Sequence, residues 1–323
     1  MLHRARALKN DDSGRGSLVA IGNFDGVHLG HQAVIEGAAA EARASGLSPL
    51  VLTFDPHPSE VLGRGVRAPL TILTRKVELI ERLGPDLRVV VEPFTTELSQ
   101  LTPAEFARDF VVGVLGARVV IVGENFRFGH GRAGDLDTLV ALGREHGFAA
   151  HASSLSGDAS GPYSSTRARA ALANGDLAAV ATVLGRPHSL SGSVVLGAQR
   201  GRTIGVPTAN LEGVGEALPP YGVYAVLVDE VIDGVARAHS TGVANIGLRP
   251  TVSGGFSVEV HLFDFAGDLY GATLRVHLIA RLRDERKFAG LDELKAQIAL
   301  DAAQARQAVL GLRPEPAAGG AWR

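Results

Sequence analysis

Near its beginning, the chain reads Gly22-Asn23-Phe24-Asp25-Gly26-Val27-His28-Leu29-Gly30-His31. An apolar run at residues 18–21 comes directly before this stretch and a helical pattern at residues 29–43 follows, so a buried strand breaks on glycines and leads into a helix. Glycines let backbone amides approach a phosphate closely, and a helix start adds the positive end of its dipole. The stretch therefore predicts a nucleotide-binding loop, with Gly22, Asp25 and Gly26 among its phosphate-binding residues.

Two histidines belong to this stretch. His28 and His31 lie three positions apart, which places both imidazoles on one face at the start of the predicted helix. Imidazole donors at such a place stabilise the charge that develops on an α-phosphate when a nucleotidyl group is transferred. A Gly-rich turn alone, or a surface histidine pair alone, is compatible with a structural role. The complete string is more specific, and it predicts nucleotidyl transfer with His28 and His31 as catalytic residues.

Composition and charge limit the classes of protein to which this chain can belong. With 323 residues, 46% apolar and 20% charged, it is expected to be globular with about two domains. A net charge of −2 gives no general attraction to nucleic acid or to an anionic membrane, and the absence of cysteine excludes disulfides and thiolate chemistry. The polar N terminus lacks the apolar segment of a signal peptide, and no apolar run reaches the roughly 18 residues of a membrane span. We therefore expect a cytoplasmic protein without nucleic-acid or membrane partners, and its oligomeric state is left open.

Strand and helix patterns alternate along the first part of the chain, up to about residue 185. Apolar runs predict strands at residues 18–22, 49–54, 88–92, 118–122 and 148–153. Helical patterns are found at residues 29–43, 74–83, 103–115 and 135–146, and Thr102 with Glu105 forms a capping box before the third. Such alternation predicts a doubly wound parallel sheet of the α/β class, whose ligands bind at the carboxyl ends of the strands. The loops after the first, second and fourth strands are therefore the candidate ligand loops.

The pattern changes after about residue 185. Strands are predicted at residues 190–196, 222–229, 237–246, 256–265 and 272–281, and a single helical pattern follows at residues 291–310. Consecutive strands with a terminal helix predict a small antiparallel Greek-key β-barrel. We place the domain joint in a helical link at residues 176–185, which gives domains at 1–184 and 185–312. Residues 313–323 lack core-forming side chains and are expected to form a disordered tail.

A second phosphate-binding pattern lies at Tyr163-Ser164-Ser165-Thr166-Arg167-Ala168-Arg169. Hydroxyl side chains suited to N-capping precede a helical run at residues 167–174 that carries two arginines, so free amides, dipole and guanidinium groups converge on an anion. An ordinary capped surface helix with solvated arginines is the alternative. Together with the histidine loop, the string predicts phosphate contacts from Ser164, Ser165, Thr166 and Arg169.

The predicted barrel contains a basic, glycine-rich loop, Gly197-Ala198-Gln199-Arg200-Gly201-Arg202-Thr203-Ile204-Gly205. Such a loop can cover a nucleotide, which makes Gly201, Arg202 and Gly205 candidate nucleotide-binding residues. It leads to Thr208 and Asn210, whose side chains point the same way from an extended segment and offer the hard oxygen ligands that suit Mg²⁺. A simple turn at this place is the alternative.

A glutamate on a predicted strand completes this set. Apolar and polar side chains alternate over residues 256–262, so Glu259 shares one face with Ser257 and His261. A carboxylate on the polar face of a strand can act as a general base. Glu259 is therefore a candidate catalytic residue, and a solvated strand glutamate is the alternative.

These motifs resemble those of one known family. The histidine string resembles the His-x-Gly-His signature of nucleotidylyltransferases, and in particular the N-terminal module of bacterial bifunctional riboflavin kinase/FMN adenylyltransferases, also called FAD synthetases. The string at residues 164–169 is similar to their Ser-Ser-Thr-x-x-Arg motif, with Arg169 as the arginine and Ala168 where isoleucine is usual. Residues 201–211 resemble the riboflavin kinase signature, and the resemblance extends over about residues 17–312.

The resemblance implies two reactions. The barrel is expected to phosphorylate riboflavin to FMN with Mg²⁺ and ATP, with Glu259 as general base and Thr208 and Asn210 as metal ligands. The N-terminal domain is expected to join FMN to the AMP part of a second ATP, which yields FAD and releases pyrophosphate. ATP is thus a co-substrate, Mg²⁺ is the cofactor, and flavin-requiring apoproteins are further candidate partners.

The resemblance also implies where the nucleotide and the flavin bind. Residues 122–129 look like the family's Val-Gly-x-(Asp/Asn)-Phe-x-Phe-Gly segment, which implies that the ATP phosphates lie near Asn125 and the flavin near Phe126 and Phe128. Burial of both phenylalanines in the core is the alternative. Residues 283–288 look like a flavin-proximal Arg-x-Glu-x-x-Phe segment, with a charged linker as the alternative, and the implied flavin contacts are Arg283, Glu285 and Phe288.

Two other functions stay open from the sequence. One is a nucleotidylyltransferase for another substrate, with a barrel that binds a ligand without catalysis. Thr208, Asn210 and Glu259 speak against it. The other is a non-catalytic flavin-binding protein, which leaves two phosphate-binding patterns unexplained. Analysis of the products formed from riboflavin and ATP distinguishes the three functions.

Overall fold

The computed structural model describes residues 16–63, 65, 67–154, 156–197, 201, 204–248 and 255–312. Contacts divide the chain into one unit of Met1–Arg67 with Thr71–Ser164 and a second of Ala68–Leu70 with Ser165–Arg323. Residues 165–184 thus group with the second unit, and the domain boundary after residue 184 remains a prediction. Two other sequence predictions, for Arg202 and for the tail at residues 313–323, lie outside the described residues.

Five parallel strands form the sheet of the first unit. They are β1 (Ser17–Ile21), β2 (Ser48–Asp55), β3 (Arg88–Pro93), β4 (Ala117–Gly123) and β5 (Ala149–Ser153). Their order is β3-β2-β1-β4-β5, so the direction of progress reverses beside β1, where doubly wound sheets bind their ligands. The predicted α/β class is confirmed, and each predicted strand end lies within one residue of the observed one.

Helices cover both faces of this sheet. Side chains alternate along β1, so Leu18 and Ala20 face α1 (Leu29–Ala44) and α3 (Leu73–Glu81), while Val19 and Ile21 face the opposite layer. That opposite layer contains α6 (Leu136–His146) and the helical segment that follows Thr102. Short helices α2 (Pro58–Val61) and α4 (Thr96–Gln100) and a hairpin of β6 (Gly157–Asp158) and β7 (Gly161–Pro162) complete the unit.

The helix predicted over residues 103–115 has a different form. The capping box is present, since Glu105 N–H donates to Thr102 Oγ1 at 3.2 Å and Thr102 N–H donates to Glu105 Oε2 at 2.8 Å. However, only α5 (Pro103–Glu105) is α-helical, and a π-helix continues over Phe106–Val112. The wider turn lets Phe106 and Phe110 stack at 5.4 Å between ring centroids while both are buried under the sheet. Packing of these aromatic rings therefore accompanies the departure from the α-helical period.

The second unit is a closed barrel preceded by two helices, α7 (Ser165–Ala173) and α8 (Leu177–Leu184). Its strands are β8 (Ser189–Val195), β9 (Ala209–Glu212), β10 (Gly222–Ile232), β11 (Val235–Leu248), β12 (Phe256–Leu262) and β13 (Thr273–Asp284). All neighbours are antiparallel, in the order β10-β11-β12-β9-β8-β13, and β13 pairs with β10 to close the barrel. The predicted barrel is confirmed, with β9 as a strand that the sequence showed only as an extended segment.

The C-terminal helix (Leu291–Ala308) packs on the outside of the barrel. Ala305 of this helix is buried against Ala225, Leu227 and Phe263, and so is Val309, the first residue after the helix. In the part of the chain that the structure describes, this helix and the others are too short or too polar to cross a membrane.

Removal of α8 is expected to destabilise the barrel. Val180, Val183 and Leu184 of α8 are fully buried, and the helix packs against β13. Burial of one such side chain contributes about 1.5–3 kcal/mol. We expect a fragment of residues 165–312 and one of residues 185–312, which lacks α7 as well as α8, both to fold, with the shorter one unfolding at lower urea concentration. Equal urea midpoints for the two fragments would show that the two helices add nothing to the barrel.

A buried carboxyl group gives the barrel a pH-dependent stability. Glu216 is 3% exposed, and burial raises the pKa of its carboxyl, against the opposing effect of the Ser191 N–H. The folded state therefore binds more protons than the unfolded state above pH about 4.5, and the free energy of unfolding falls as pH rises through the raised pKa. We expect Glu216→Gln to flatten this dependence and to be more stable than the parent protein at pH 8. Urea unfolding at pH 5 and pH 8 tests this; parallel pH profiles would contradict it.

Candidate active sites

The histidine loop joins β1 to α1. His28 is the N-cap of α1, and its Nδ1 accepts a hydrogen bond from the backbone N–H of His31 at 3.2 Å. Because Nδ1 accepts, the proton of the neutral His28 ring is on Nε2, which is then a donor. The two imidazoles stack with centroids 3.5 Å apart and an angle of 22° between their planes. The structure thus brings the two predicted catalytic histidines together at a helix start.

The backbone of this loop is strained. Phe24 and Val27 have φ values of 48° and 39°, in the left-handed region that side chains with a Cβ rarely adopt. Hydrogen bonds hold the loop in place: Thr53 Oγ1 donates to Asn23 O at 3.2 Å, and Gln32 Nε2 donates to Val27 O at 2.8 Å. Such conformations cost about 1–3 kcal/mol each and are concentrated at ligand-binding sites.

A buried lysine accompanies the loop. Lys76 of α3 is 7% exposed, and burial lowers the pKa of its ammonium group, while the carboxylates of Asp25 and Asp55 act in the opposite direction. Asp25, a predicted phosphate-site residue, therefore has a cationic neighbour within the same unit. The sequence pattern did not reveal Lys76, because its position on an amphipathic helix does not separate it from a surface lysine.

An aromatic cavity of about 470 Å³ lies at the carboxyl ends of the strands. The predicted residues Gly22, Asn125, Phe126 and Phe128 line it. Phe126 and Phe128 stack at 5.5 Å with an angle of 16°, and Phe54 and Phe94 form an edge-to-face pair at 5.7 Å elsewhere in its wall. Aromatic walls suit a flat heteroaromatic ring, and polar residues such as Asn23, Gln100 and Arg127 also line this cavity. Phe54, Phe94 and Phe106 were missed from the sequence, although the first two lie at strand ends where ligands are expected.

The serine- and arginine-containing string forms the start of α7. This helix begins at Ser165, two residues before the predicted start at Arg167, so Ser165 and Thr166 lie within its first turn. Ser164 groups with the first unit, whereas Ser165, Thr166 and Arg169 group with the second. Arg169 NH1 donates to the carbonyl of Ala68 at 2.8 Å. The phosphate roles of these residues remain predictions.

A second cavity, of about 660 Å³, lies between the outer face of the barrel and the C-terminal helix. Six of the predicted residues line it, namely Gly201, Thr208, Glu259, Arg283, Glu285 and Phe288. The predicted alternation along β12 is confirmed, since Val258, Val260 and Leu262 are buried while Glu259 faces this cavity. In register, Glu259 lies between Asn210 of β9 and Asn245 of β11. Asn245 also lines the cavity.

Asn210 lies against the glycine-rich loop. A Cβ atom on Gly197 would overlap with the Asn210 side-chain amide, so only glycine permits this approach. The backbone then turns at Gly201, whose carbonyl accepts from the N–H groups of Ile204 at 3.2 Å and Val206 at 2.8 Å. Gly205 has a φ of 82° and is absent from the described lining of the cavity. A threonine hydroxyl and an asparagine carbonyl in this fold are hard oxygen donors, which fit Mg²⁺.

Of the predicted flavin contacts, Arg283 near the end of β13 is held by an ion pair, and Phe288 after this strand is held by cation–π contacts. Arg283 binds Asp301 of the C-terminal helix with Nε at 3.0 Å from both carboxylate oxygens and NH2 at 2.8 Å from Oδ2. The guanidinium groups of Arg283 and Arg286 lie 5.5 and 4.7 Å from the centroid of the Phe288 ring. Arg283 therefore anchors the helix that closes the cavity, and Asp301, which no motif indicated, is its partner.

A third cavity, of about 490 Å³, shares Thr208 with the second. Its other walls come from the inner face of β12 and from the loop that contains Asp268 and Tyr270. Thr208 is thus placed to contact ligands in either cavity, on opposite faces of the barrel wall.

Comparisons with known proteins agree with this geometry. A family model described as FAD synthetase matches residues 10–167, and one described as riboflavin kinase matches residues 184–309. The bifunctional riboflavin kinase/FMN adenylyltransferase of Escherichia coli (strain K12) is 43% identical over 295 residues, covering 90% of this chain and 92% of the relative. The protein of the same name from Bacillus subtilis (strain 168) is 38% identical over 306 residues, covering 92% and 94%.

A solved structure shares the complete architecture. The crystal structure of a protein from Streptococcus pneumoniae, named as a macrolide-efflux protein, superposes with a TM-score of 0.80 at 30% sequence identity. The match covers 92% of this chain and 96% of that protein. Both halves of the present chain therefore recur together in one polypeptide.

Proposed function

The chain belongs to the family of bifunctional riboflavin kinases/FMN adenylyltransferases, and we propose that each of its two units performs one of the two reactions. The enzyme phosphorylates riboflavin to FMN with ATP, and it transfers the AMP part of ATP to FMN to form FAD. The FAD synthetase match at residues 10–167 supports adenylyl transfer in the first unit, and the riboflavin kinase match at residues 184–309 supports the kinase in the second. The roles proposed for the kinase residues depend on one observation: Glu259, the proposed base, and Thr208, the proposed metal ligand, line the same cavity.

In the kinase site, riboflavin occupies the cavity of about 660 Å³ and ATP the cavity of about 490 Å³. Glu259 accepts the proton of the ribityl hydroxyl as that oxygen attacks the terminal phosphorus of ATP, and the bond from this phosphorus to the bridging oxygen breaks so that ADP leaves. Thr208, which lines both cavities, and Asn210 on the adjoining strand would hold Mg²⁺, which would supply positive charge to neutralise the transferred phosphoryl group. Arg283, Glu285 and Phe288 bind the flavin side of the cavity of about 660 Å³. Gly201 lines this cavity too, and the nucleotide contacts of Gly201, Arg202 and Gly205 remain predictions.

In the adenylyltransferase site, the flavin ring of FMN occupies the aromatic cavity beside Phe126 and Phe128. A phosphate oxygen of FMN attacks the α-phosphorus of ATP in line, and pyrophosphate leaves. Nε2 of His28, the ring of His31 and the free amides at the start of α1 stabilise the negative charge of the transition state. In the first unit, the remaining predicted phosphate contacts are Gly22, Asp25, Gly26, Asn125 and Ser164. The phosphate roles of Ser165, Thr166 and Arg169, which group with the second unit, remain predictions.

Product analysis tests this assignment. Purified protein incubated with riboflavin, ATP and Mg²⁺ is expected to form FMN first and FAD later, and chelation of the metal is expected to stop both steps. Adenylylation of another acceptor without riboflavin phosphorylation would favour the nucleotidylyltransferase with a ligand-binding barrel. Flavin binding without ATP turnover would favour a binding protein. The cytoplasmic location, the absence of nucleic-acid and membrane partners, and transfer of flavin to apoproteins remain predictions.

The fragment of residues 165–312 extends this test to the division of labour. It contains both barrel cavities, so we expect it to convert riboflavin to FMN and to form no FAD. The full chain is the control for both products. A folded fragment without kinase activity would show that the first unit contributes to the kinase site.

A further inference from the structure

The pairing between β9 and β12 stops just before the proposed metal-binding threonine. The ladder joins Leu211 to Val258, Asn210 to Glu259 and Ala209 to Val260. Pro207 lies two residues before Ala209, and it has no N–H group to donate to a continued ladder. A side chain provides the next connection, since His261 Nδ1 lies 2.8 Å from the carbonyl oxygen of Pro207.

The chemistry of this contact fixes the state of the ring. A carbonyl oxygen can only accept, so Nδ1 of His261 carries the proton and donates it to Pro207. The neutral ring then presents Nε2 as an acceptor. An edge-to-face contact with Phe263, with centroids 5.8 Å apart, packs against the same imidazole. The ring is therefore held in one orientation by a hydrogen bond and by packing.

The contact connects the two functional parts of the kinase site. His261 shares the face of β12 with Glu259, and both line the cavity of about 660 Å³. Its acceptor, Pro207, is bonded directly to Thr208, which lines this cavity too. We propose that His261 is a positioning residue that holds Pro207 and Thr208, which lie beyond the last backbone pair of the ladder, in place beside Glu259. The proposal rests on the proposed roles of Thr208 and Asn210 at the metal.

Loss of this hydrogen bond has a predictable consequence. Thr208 lies beyond the last backbone pair of the ladder, and the turn before it is closed by a hydrogen bond from the Val206 N–H to the Gly201 carbonyl. Without the contact from His261, the segment before Ala209 loses that connection to β12. One hydrogen bond of this kind contributes about 0.5–1.5 kcal/mol, so we expect His261→Ala to bind Mg²⁺·ADP about 2- to 10-fold more weakly. Adenylylation of supplied FMN, which the proposed function assigns to the first unit, is expected to stay unchanged.

The experiment compares three variants of the full chain. Hydrogen–deuterium exchange of the amides at residues 204–211, without any ligand, reports the hold on the segment independently of activity. Calorimetry with Mg²⁺·ADP reports the consequence for binding. His261→Ala is expected to speed exchange and weaken binding, and His261→Asn, whose amide can donate from near the Nδ1 position, is expected to restore both. Ser257→Ala, on the same face of β12 beyond Glu259, is the control and is expected to match the parent protein.

The outcomes separate this proposal from the function on which it rests. Unchanged exchange in His261→Ala would overturn the proposal, because the segment would then be held without the histidine. Suppose that Thr208→Ala weakens the binding of Mg²⁺·ADP. The proposal would then also be overturned if His261→Ala showed faster exchange but bound Mg²⁺·ADP as tightly as the parent protein. If Thr208→Ala also binds Mg²⁺·ADP normally, the metal role of Thr208 is wrong, and the positioning role falls with it.

Discussion

Replacement of His28 and His31 together by alanine is expected to abolish FAD formation while riboflavin is still converted to FMN. The variant loses two donors that face the charge developing on the α-phosphate, and each such donor typically contributes about 2.7–4 kcal/mol to transition-state stabilisation. The expected decrease in the rate of adenylyl transfer is therefore at least about 100-fold. The kinase step is expected to be unaffected, because Glu259 and Thr208 lie in the barrel unit.

His28 also caps α1, so its loss affects stability as well as chemistry. Removal of an N-cap typically costs about 1 kcal/mol. The matched control is His28→Asn with His31→Ala, in which asparagine can accept from the His31-position N–H while the imidazole donors are absent. Both double variants are expected to lose FAD synthesis, and the asparagine variant is expected to unfold at the higher temperature. Undiminished adenylylation of FMN in either would refute the role of the histidines.

Glu259→Gln is expected to reduce the riboflavin kinase rate by about 10²- to 10⁴-fold, the usual range for loss of a general base. Glutamine keeps the size of the side chain and its position between Asn210 and Asn245, but it cannot take up the proton of the ribityl hydroxyl. Adenylylation of supplied FMN is expected to proceed at the parent rate. The two activities of one variant are thus each other's control for folding.

Glu212→Gln provides a matched control for this substitution. Glu212 is an exposed glutamate on the neighbouring strand β9, two residues from Asn210, so the same chemical change is made in the same barrel. This variant is expected to retain both activities. If Glu259→Gln and Glu212→Gln had equal kinase rates, Glu259 would be a solvated strand carboxylate and not the base. Loss of both activities in Glu259→Gln would indicate misfolding.

The fold was largely predictable because its elements have strong periodic patterns. Buried parallel strands are continuous apolar runs, and β12 alternates along its length, so both units follow from local sequence. The π-helix at Phe106–Val112 and the short strand β9 were not predicted as such. The first depends on how aromatic rings pack under the sheet, and the second is four residues long and pairs with strands that come from elsewhere in the chain.

The candidate sites were predictable only where a motif is continuous in sequence. The histidine loop and the segment around Thr208 are of this kind, and their residues line the expected cavities or cap the expected helix. Asp301, Lys76 and the contact of His261 with Pro207 were not predictable in this way. Fifty-four positions separate His261 from Pro207, and no periodicity carries information about a contact that only the barrel topology creates.

The central claim is that two separate sites, one in each unit, catalyse consecutive reactions. The most direct measurement is the amount of FAD formed from riboflavin and Mg²⁺·ATP by an equimolar mixture of the His28→Ala/His31→Ala variant and the Glu259→Gln variant. Alone, the first is expected to stop at FMN, and the second is expected to leave riboflavin almost unconverted. Together they are expected to make FAD, because FMN released by the first is adenylylated by the second. A mixture that accumulates FMN without FAD, or a single variant that makes as much FAD as the mixture, would contradict the account.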